Sequence, residues 1–303
     1  MQLYKLQIED KELFNQYLSA DRHELSAYAF ENIFIWQGIY KIQWGIAKNS
    51  LCVFFSDKFG YFAYLPPLSR SPEPDVIKKV FVFMDGYNRN NEVSRIENVE
   101  EKKISFYQAQ GYECKAKPGD YLCKRSSLAQ LRGNAFKSKR ATCNYFMKHY
   151  KFAYMDFSLE YRDSCLKLYD LWSKEREGQK HDLIYRGMLG DSRTSLLELL
   201  KYYRDLCVSG KIILVKDRLK GFSFGFRLNR DTFCILFEVT DLSIKGLSQF
   251  IFREFCRQLK GYSYINIMDD SCLENLRVVK QSYRPVRIIP NYIVTKKNAE
   301  KYR

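Results

Sequence analysis

The stretch that decides the fold is residues 232–246, TFCILFEVTDLSIKG. Apart from Glu238, its first eight residues are apolar or β-branched, which is typical of a buried strand. The strand leads into a turn that ends at Gly246, and residues 247–259 then place Leu247, Phe250 and Ile251 on one face of a helix. Free backbone N–H groups at a helix start can hold a phosphate group, so this turn is a candidate site for a phosphorylated ligand.

A weaker copy of the segment that follows this helix lies earlier in the chain. The strong copy continues with YINIMDD at residues 264–270 and reaches Tyr283, whereas the weaker copy starts with SRIENV at residues 94–99 and reaches Tyr112. The two tyrosines are 171 residues apart (283 − 112). A repeat of this length indicates one supersecondary unit used twice.

Each half is predicted to contain helices, an antiparallel meander and then a helix–strand–helix–strand run. The meander strands are predicted at residues 42–47, 51–55 and 61–65, and again at 211–216, 221–227 and 232–239. Helices are predicted over residues 8–40, 72–88, 163–177 and 195–206. This order favours an α+β fold in which mixed central sheets are flanked by helices. We expect two domains, residues 1–125 and residues 126–303, with a basic connecting helix in the second.

The positive charge of the chain is concentrated in one segment. The formal net charge is +15 for 303 residues, and residues 121–155 contain eight lysines and arginines but no aspartate or glutamate. A solvated basic face is one explanation. The other is an anionic partner, namely RNA, a phospholipid surface or a phosphorylated donor.

Three further features bear on the class of protein. No run of about 18 apolar residues is present, so no transmembrane helix is expected, and the N-terminal residues lack the apolar core of a signal peptide. The nine cysteines include no Cys-x-x-Cys pair, which indicates reduced thiols in the cytoplasm. His23, His149 and His181 lie far apart in the sequence, so no metal site is expected.

Lys245 and Gly246 are the candidate phosphate contacts in the turn. Glycine permits close approach of the backbone to a ligand, and lysine supplies positive charge beside the helix N-terminus. An ordinary tight turn between a strand and a helix explains the same two residues. The sequence leaves both interpretations open.

Acidic residues near the ends of the second-half strands are candidate proton acceptors for acyl transfer. They are Glu238, Asp241, Asp269 and Asp270. A carboxylate in such a place can accept a proton from an attacking amine or hydroxyl group. Ser271 with Glu274 matches a capping box, which gives the last two acids a structural explanation. The first two therefore rank higher, with Asp241 ahead of Glu238.

Six motifs, spread over nearly the whole chain, together resemble one known family. They are SAYAFENIFIW at residues 26–36, YLPPL at 64–68, LRGNAFKSKR at 131–140, the segment 241–246, YIN at 264–266 and KQSYRP at 280–285. The family is the soluble C-terminal domain of phosphatidylglycerol lysyltransferases, here in its stand-alone form. The resemblance implies two GNAT-like domains in tandem. It also implies an aminoacyltransferase that moves an amino acid from charged tRNA to the hydroxyl group of a lipid head group, without a cofactor.

The resemblance also implies roles for residues of these motifs. It places Lys137, Lys139 and Arg140 against RNA phosphate, and it places the second-half acids at the transfer site. Asn266 of the YIN motif is expected to bind substrate. Peptidoglycan cross-bridge transferases are similar in design, so other hydroxyl or amine acceptors fit the same chemistry.

Two departures from the family pattern keep other functions open. Val239 stands where the family tends to have lysine, and Ile267 and Met268 stand where it has arginine and glutamate. These changes imply an altered specificity or a lost activity. One rival is an acyl-CoA-dependent N-acyltransferase that uses the same turn for the pyrophosphate. The other is a non-catalytic module that binds RNA or makes peripheral contact with anionic lipid.

Overall fold

Strands and helices alternate through the computed structural model, which describes residues 1–71, 73–178 and 182–297. The strands are β1 Tyr4–Lys5, β2 Lys41–Ala47, β3 Ser50–Asp57, β4 Gly60–Ala63, β5 Arg95–Glu100, β6 Tyr112–Lys124, β7 Phe152–Asp156, β8 Val208–Val215, β9 Arg218–Arg227, β10 Thr232–Thr240, β11 Tyr264–Asn266 and β12 Arg287–Lys296. The helices are α1 Lys11–Leu18, α2 Phe30–Phe34, α3 Pro74–Tyr87, α4 Ile104–Ala109, α5 Arg125–Gln130, α6 Lys137–His149, α7 Arg162–Glu177, α8 Leu183–Lys201, α9 Leu247–Gln258 and α10 Glu274–Gln281. His181 lies outside the described residues.

The chain divides into two units. The first contains Met1–Asp120 and the C-terminal residues from Ile289, and the second contains Tyr121–Ile288. This division differs from the expected one at residue 125, because β12 pairs with β5 and so belongs to the first unit. The end of β6 belongs to the second unit, because it pairs with β11. The last strand of the second half thus belongs mostly to the first unit, and the end of the last strand of the first half belongs to the second unit.

The first unit is built on a sheet in the order β1-β2-β3-β4-β5-β12. Strands β2, β3 and β4 form the predicted antiparallel meander, and β4 pairs with β5 in parallel at Ala63 and Ile96. Phe81 of α3 joins Ile96 in the buried core. Beyond the parallel pair, Nδ2 of Asn98 donates a hydrogen bond to the carbonyl oxygen of Tyr64 at 2.9 Å. A side chain of the unit itself therefore bridges the two strands where they separate.

The second unit is built on a sheet in the order β6-β11-β10-β9-β8-β7. Strands β8, β9 and β10 form the second predicted meander. Strand β10 pairs with β11 in parallel from Thr232 to Cys234 only, although β10 continues to Thr240. In the described part of the chain, no strand takes the place of β11 beyond Cys234. The two strands therefore separate and leave a gap along the second half of β10.

The predicted repeat is confirmed by these pairings. Strands β5 and β11 each follow a helix and each pair in parallel with the last strand of a meander. Each is followed by a short helix and then by another strand. The α+β fold with mixed sheets flanked by helices is confirmed as well.

Several helix predictions need correction. Residues 8–40 hold only the short helices α1 and α2 with 3-10 turns, because Ser26 to Ala29 are buried in extended and turn structure. Helix α8 begins at Leu183, twelve residues before the predicted start at Ser195 (195 − 183). The prediction of a capping box at Ser271 is wrong, since α10 starts at Glu274 without a side-chain cap. None of the helices in the described residues is long and apolar enough to cross a membrane.

Candidate active site

Glu238 lies in the gap that opens between β10 and β11. It is four residues beyond Cys234, the last residue of β10 that pairs with β11, and a register shift between Ile235 and Phe237 precedes it. Its carboxylate accepts a hydrogen bond from the hydroxyl group of Ser248 on α9 at 2.8 Å. The acid is therefore held on the face of the sheet that α9 covers.

Burial in this gap changes the acidity of Glu238. Loss of solvation raises the pKa of its carboxyl group, and the hydrogen bond from Ser248 and the charge of Lys139 lower it by less, so that the pKa is about 7. A carboxylate normally ionises near pH 4.5. A group with a pKa near neutrality can both take and return a proton under physiological conditions, which is the property required of a general base.

Lys139 and Tyr283 complete the surroundings of Glu238. The Nζ atom of Lys139 on α6 lies 3.6 Å from the centre of the Tyr283 ring, which packs on Phe252 with 4.4 Å between ring centres. Burial lowers the pKa of Lys139, while the charge of Glu238 acts to raise it. The site thus combines an acid, a partly desolvated ammonium group and an aromatic wall, contributed by three separate segments of the chain.

Asp241, the first-ranked candidate base, is already engaged. Its carboxylate is paired with Nζ of Lys220 at 2.6 Å and accepts hydrogen bonds from the backbone and hydroxyl groups of Ser243. Burial acts to raise its pKa, but these partners outweigh burial and the pKa lies below its ordinary value. A carboxylate so stabilised in its charged form is a weak proton acceptor. The arrangement favours Glu238 as the base.

Asp269 and Asn266 stabilise the end of β11. The carboxylate of Asp269 accepts a hydrogen bond from the backbone N–H of Ser271 at 2.7 Å. Asn266 is fully buried, and its side-chain oxygen accepts a hydrogen bond from the backbone N–H of Met268 at 2.7 Å. These bonds support the left-handed backbone of Met268 and Ser271. Both side chains thus have a clear role in shaping the chain next to the gap.

Asp270 holds the chain that follows β11 through contacts with two side chains. It accepts a hydrogen bond from the hydroxyl group of Tyr121 at 2.6 Å and pairs with Arg277 of α10 at 3.3 Å. Burial acts to raise the pKa of Asp270, but Tyr121 and Arg277 hold it below its ordinary value. The structural interpretation of Asp270 holds, although its partners are these side chains and not a capping box.

The turn before α9 is occupied by the protein itself. Gly246 has a φ of +87°, and a Cβ atom on it would overlap the carbonyl oxygen of Thr142 in α6. The absence of a side chain therefore makes room for a helix of the same unit. Lys245 is exposed, with its Nζ 4.8 Å from the ring centre of Tyr145 on α6. Of the two candidate phosphate contacts, only Lys245 faces solvent.

The three basic residues predicted to meet RNA have different surroundings. Lys137 is exposed at the start of α6. The guanidinium group of Arg140 donates hydrogen bonds to the carbonyl oxygens of Leu131 and Gly133 and so holds the preceding loop. Lys139 belongs to the Glu238 site. Only Lys137 therefore remains as a freely exposed member of the predicted set.

Ser248 and Tyr283 are site residues that sequence reasoning did not single out. Ser248 lies in the first turn of α9, next to Leu247, and reads as an exposed helix position. Tyr283 is the end point of the repeat and part of the KQSYRP motif. Its position in that motif was the only signal of a role.

A group of titratable side chains in the first unit has metal-ligand chemistry. Ligand atoms of Asp21, His23 and Glu100 lie within 4.8 Å of one another. However, Nζ of Lys102 is 2.6 Å from Asp21 and 3.3 Å from Glu100, and Nδ1 of His23 is 2.9 Å from Glu100. The lysine already supplies the positive charge, so we interpret the group as an internal ion network.

The two units, each with a meander followed by a helix and a parallel strand, define a tandem GNAT-like protein. The family model for phosphatidylglycerol lysyltransferase, C-terminal, matches residues 22–295, and the chain belongs to that family. Comparison with curated proteins finds no match.

Three solved structures share the fold over nearly their full length. A conserved protein of unknown function from Bacteroides thetaiotaomicron is 25% identical with a TM-score of 0.86, covering 97% of this chain and 99% of that one. L-PGS from Bacillus licheniformis is 17% identical with a TM-score of 0.67, covering 97% and 93%. The C-terminal domain of a protein assigned as a lysylphosphatidylglycerol synthetase from Agrobacterium fabrum is 11% identical with a TM-score of 0.65, covering 94% and 93%.

Proposed function

We propose that the protein is an aminoacyltransferase that moves an amino acid from aminoacyl-tRNA to a hydroxyl or amine group, with a lipid head group as the preferred acceptor. The observation that carries the proposal is the placement of Glu238 in the gap beside β10, with a pKa of about 7. Membership of the phosphatidylglycerol lysyltransferase family supports the donor and acceptor classes. Because charged tRNA is a cytoplasmic donor, the reaction takes place on the cytoplasmic side.

In the proposed transfer, Glu238 first accepts a proton from the acceptor and then donates it to the leaving group. The oxygen or nitrogen of the acceptor forms a bond to the ester carbonyl carbon of the aminoacyl-tRNA, and its proton passes to Glu238. The bond between that carbon and the terminal ribose oxygen then breaks, and this oxygen takes the proton from Glu238. The positive charge of Lys139 beside the acid stabilises the negative charge that develops on the carbonyl oxygen of the ester. No other co-reactant is needed.

An acyl-CoA donor is less well supported than aminoacyl-tRNA. That rival uses the turn at Gly246 for the pyrophosphate, but the backbone of α6 lies against this glycine. Residues 121–155, by contrast, keep several exposed basic side chains on a segment without acids, including Lys137 and Lys148. Such a surface favours a polyanion such as tRNA.

The donor can be tested by binding. We expect charged bulk tRNA to bind at least about tenfold more tightly than uncharged tRNA at physiological salt, where non-specific attraction to phosphate is weak. The measurement is a filter-binding titration, with the same tRNA after mild alkaline deacylation as its control. Equal affinity for both would contradict the proposed donor and would favour acyl-CoA or a module without catalysis.

Lys139 provides a test of the site itself. Its charge lowers the pKa of Glu238, so Lys139→Met should raise that pKa and move the acid limb of the kcat/KM profile to higher pH. Lys137→Met is the matched control, because Lys137 lies on the same helix but is exposed, and it should leave the limb in place. Equal profiles for both variants would show that Lys139 does not act on the base.

A further inference from the structure

Exposed apolar side chains are concentrated in one short segment of the second unit. Four of the large apolar side chains that face solvent fall within eleven consecutive residues. They are Val278 (57% exposed), Val279 (52%), Val286 (56%) and Ile288 (46%). Two lie on α10, which buries none of its residues fully, and two lie at the start of β12 and just before it. Aliphatic groups in this number indicate a surface that contacts something else.

The same segment is basic. Residues 275–297 contain no aspartate or glutamate. Arg284 lies between Val279 and Val286, and Arg287 lies between Val286 and Ile288; both are exposed, and Arg287 also has a contact within the protein. Arg277 and Lys280 are used internally, in ion pairs with Asp270 and Glu274 and in hydrogen bonds to backbone carbonyl oxygens. The outward-facing charge of the segment is thus arginine interleaved with aliphatic side chains, a combination typical of surfaces that bind at a bilayer interface.

This surface lies next to the Glu238 site. Tyr283, in the middle of the segment, is buried and forms the aromatic wall beside Lys139. The backbone N–H of Val286 donates a hydrogen bond to the carbonyl oxygen of Leu122 at 2.8 Å, which fixes the strand start to the sheet. The exposed valines and arginines are therefore held on the outer side of a segment whose inner side belongs to the site.

We propose that Val278, Val279, Arg284, Val286, Arg287 and Ile288, the 278–288 surface, dock the protein on an anionic phospholipid bilayer. The aliphatic side chains enter the interface and the arginines pair with lipid phosphate. The exposed apolar groups of this surface are aliphatic, so they suit the acyl boundary of a bilayer better than they suit stacking on the bases of single-stranded RNA. The inference rests on the proposed function and deepens it, because docking here brings lipid head groups close to the Glu238 site.

The test is co-sedimentation of the whole chain with vesicles, in the absence of tRNA. We expect binding to vesicles that contain about one third phosphatidylglycerol in phosphatidylcholine, and little binding to phosphatidylcholine alone. Arg284→Gln with Arg287→Gln should weaken partitioning about 30-fold, which corresponds to roughly 1 kcal/mol for each basic residue. Val278→Ser with Val279→Ser should weaken it about tenfold, because two aliphatic groups no longer enter the interface.

Matched controls separate this surface from general charge and general hydrophobicity. Lys216→Gln with Lys260→Gln removes two exposed charges elsewhere in the unit, and Val82→Ser removes an exposed valine of the first unit. Both controls should bind vesicles as the unchanged protein does. Equal loss in the controls, no vesicle binding at all, self-association that depends on Val278 and Val279, or loss of tRNA binding in place of vesicle binding would each overturn the proposal. Glu238→Gln should bind vesicles normally, so failure of the transfer reaction does not affect this test.

Discussion

Glu238→Gln is expected to lower the rate of transfer by about 10²–10⁴-fold, the range that a general base contributes. Glutamine has nearly the same shape as glutamate and can still accept the hydrogen bond from Ser248, but it cannot take a proton. Affinity for charged tRNA should therefore change by less than about twofold. Single-turnover transfer from labelled aminoacyl-tRNA, with binding measured in parallel, checks both results.

The same substitution should also raise stability above neutral pH. The pKa of Glu238 is raised from 4.5 to about 7 in the folded chain. Between these values the folded state holds more protons than the unfolded state, so this group makes the fold less stable as the pH rises from about 4.5 to 7. Glutamine removes that penalty. At pH 8 the variant should be more stable by about 1–3 kcal/mol in urea unfolding, whereas at pH 4 the two proteins should be equal.

Asp241→Asn is the control that separates the two candidate bases. The substitution breaks the ion pair with Lys220 in a buried place, so stability should fall by about 1–3 kcal/mol. Activity measured well below the melting temperature should remain. Loss of turnover in a folded Asp241→Asn variant, together with an active Glu238→Gln variant, would reverse the roles proposed for the two acids.

The architecture could be predicted because it depends on local patterns. The apolar patterns of residues 42–47 and 211–216 indicate strands, and the repeat that ends at Tyr112 and Tyr283 indicates their arrangement. Each strand, and each copy of the repeat, is recognised from a short window of sequence. The pairing of β12 with β5 and of the end of β6 with β11 could not be predicted, because a strand carries no local mark of which strand it joins.

The candidate site could be predicted only in part, because its geometry depends on distant residues. Glu238 was a candidate from its position on the strand, but its acidity depends on burial and on Lys139. Lys137 and Lys139 look alike in sequence, and only the packing of Lys139 on Tyr283 separates them. The turn at Gly246 looked open because nothing near it in sequence shows that Thr142 lies against it.

Gly246→Ala is expected to destabilise the protein by about 3 kcal/mol or more. The left-handed backbone at this position, with φ +87°, costs an L-residue about 1–2 kcal/mol. The added Cβ atom would also overlap the carbonyl oxygen of Thr142, which is backbone of α6 and has little freedom to move. Overpacking of this kind typically costs a further 1–3 kcal/mol, roughly. Urea unfolding followed by circular dichroism measures the sum.

Gly111→Ala is the control for the clash. Gly111 follows helix α4 and has nearly the same φ, +83°, but a Cβ atom there meets nothing within 4 Å. It should therefore cost only the backbone contribution, so a clearly larger loss at Gly246 reflects the contact with α6. If Gly246 instead served to admit a phosphate group, Gly246→Ala would be no less stable than Gly111→Ala and would lose affinity for the donor. Stability and donor binding, measured on the same two variants, thus decide between the two interpretations of the turn that the sequence left open.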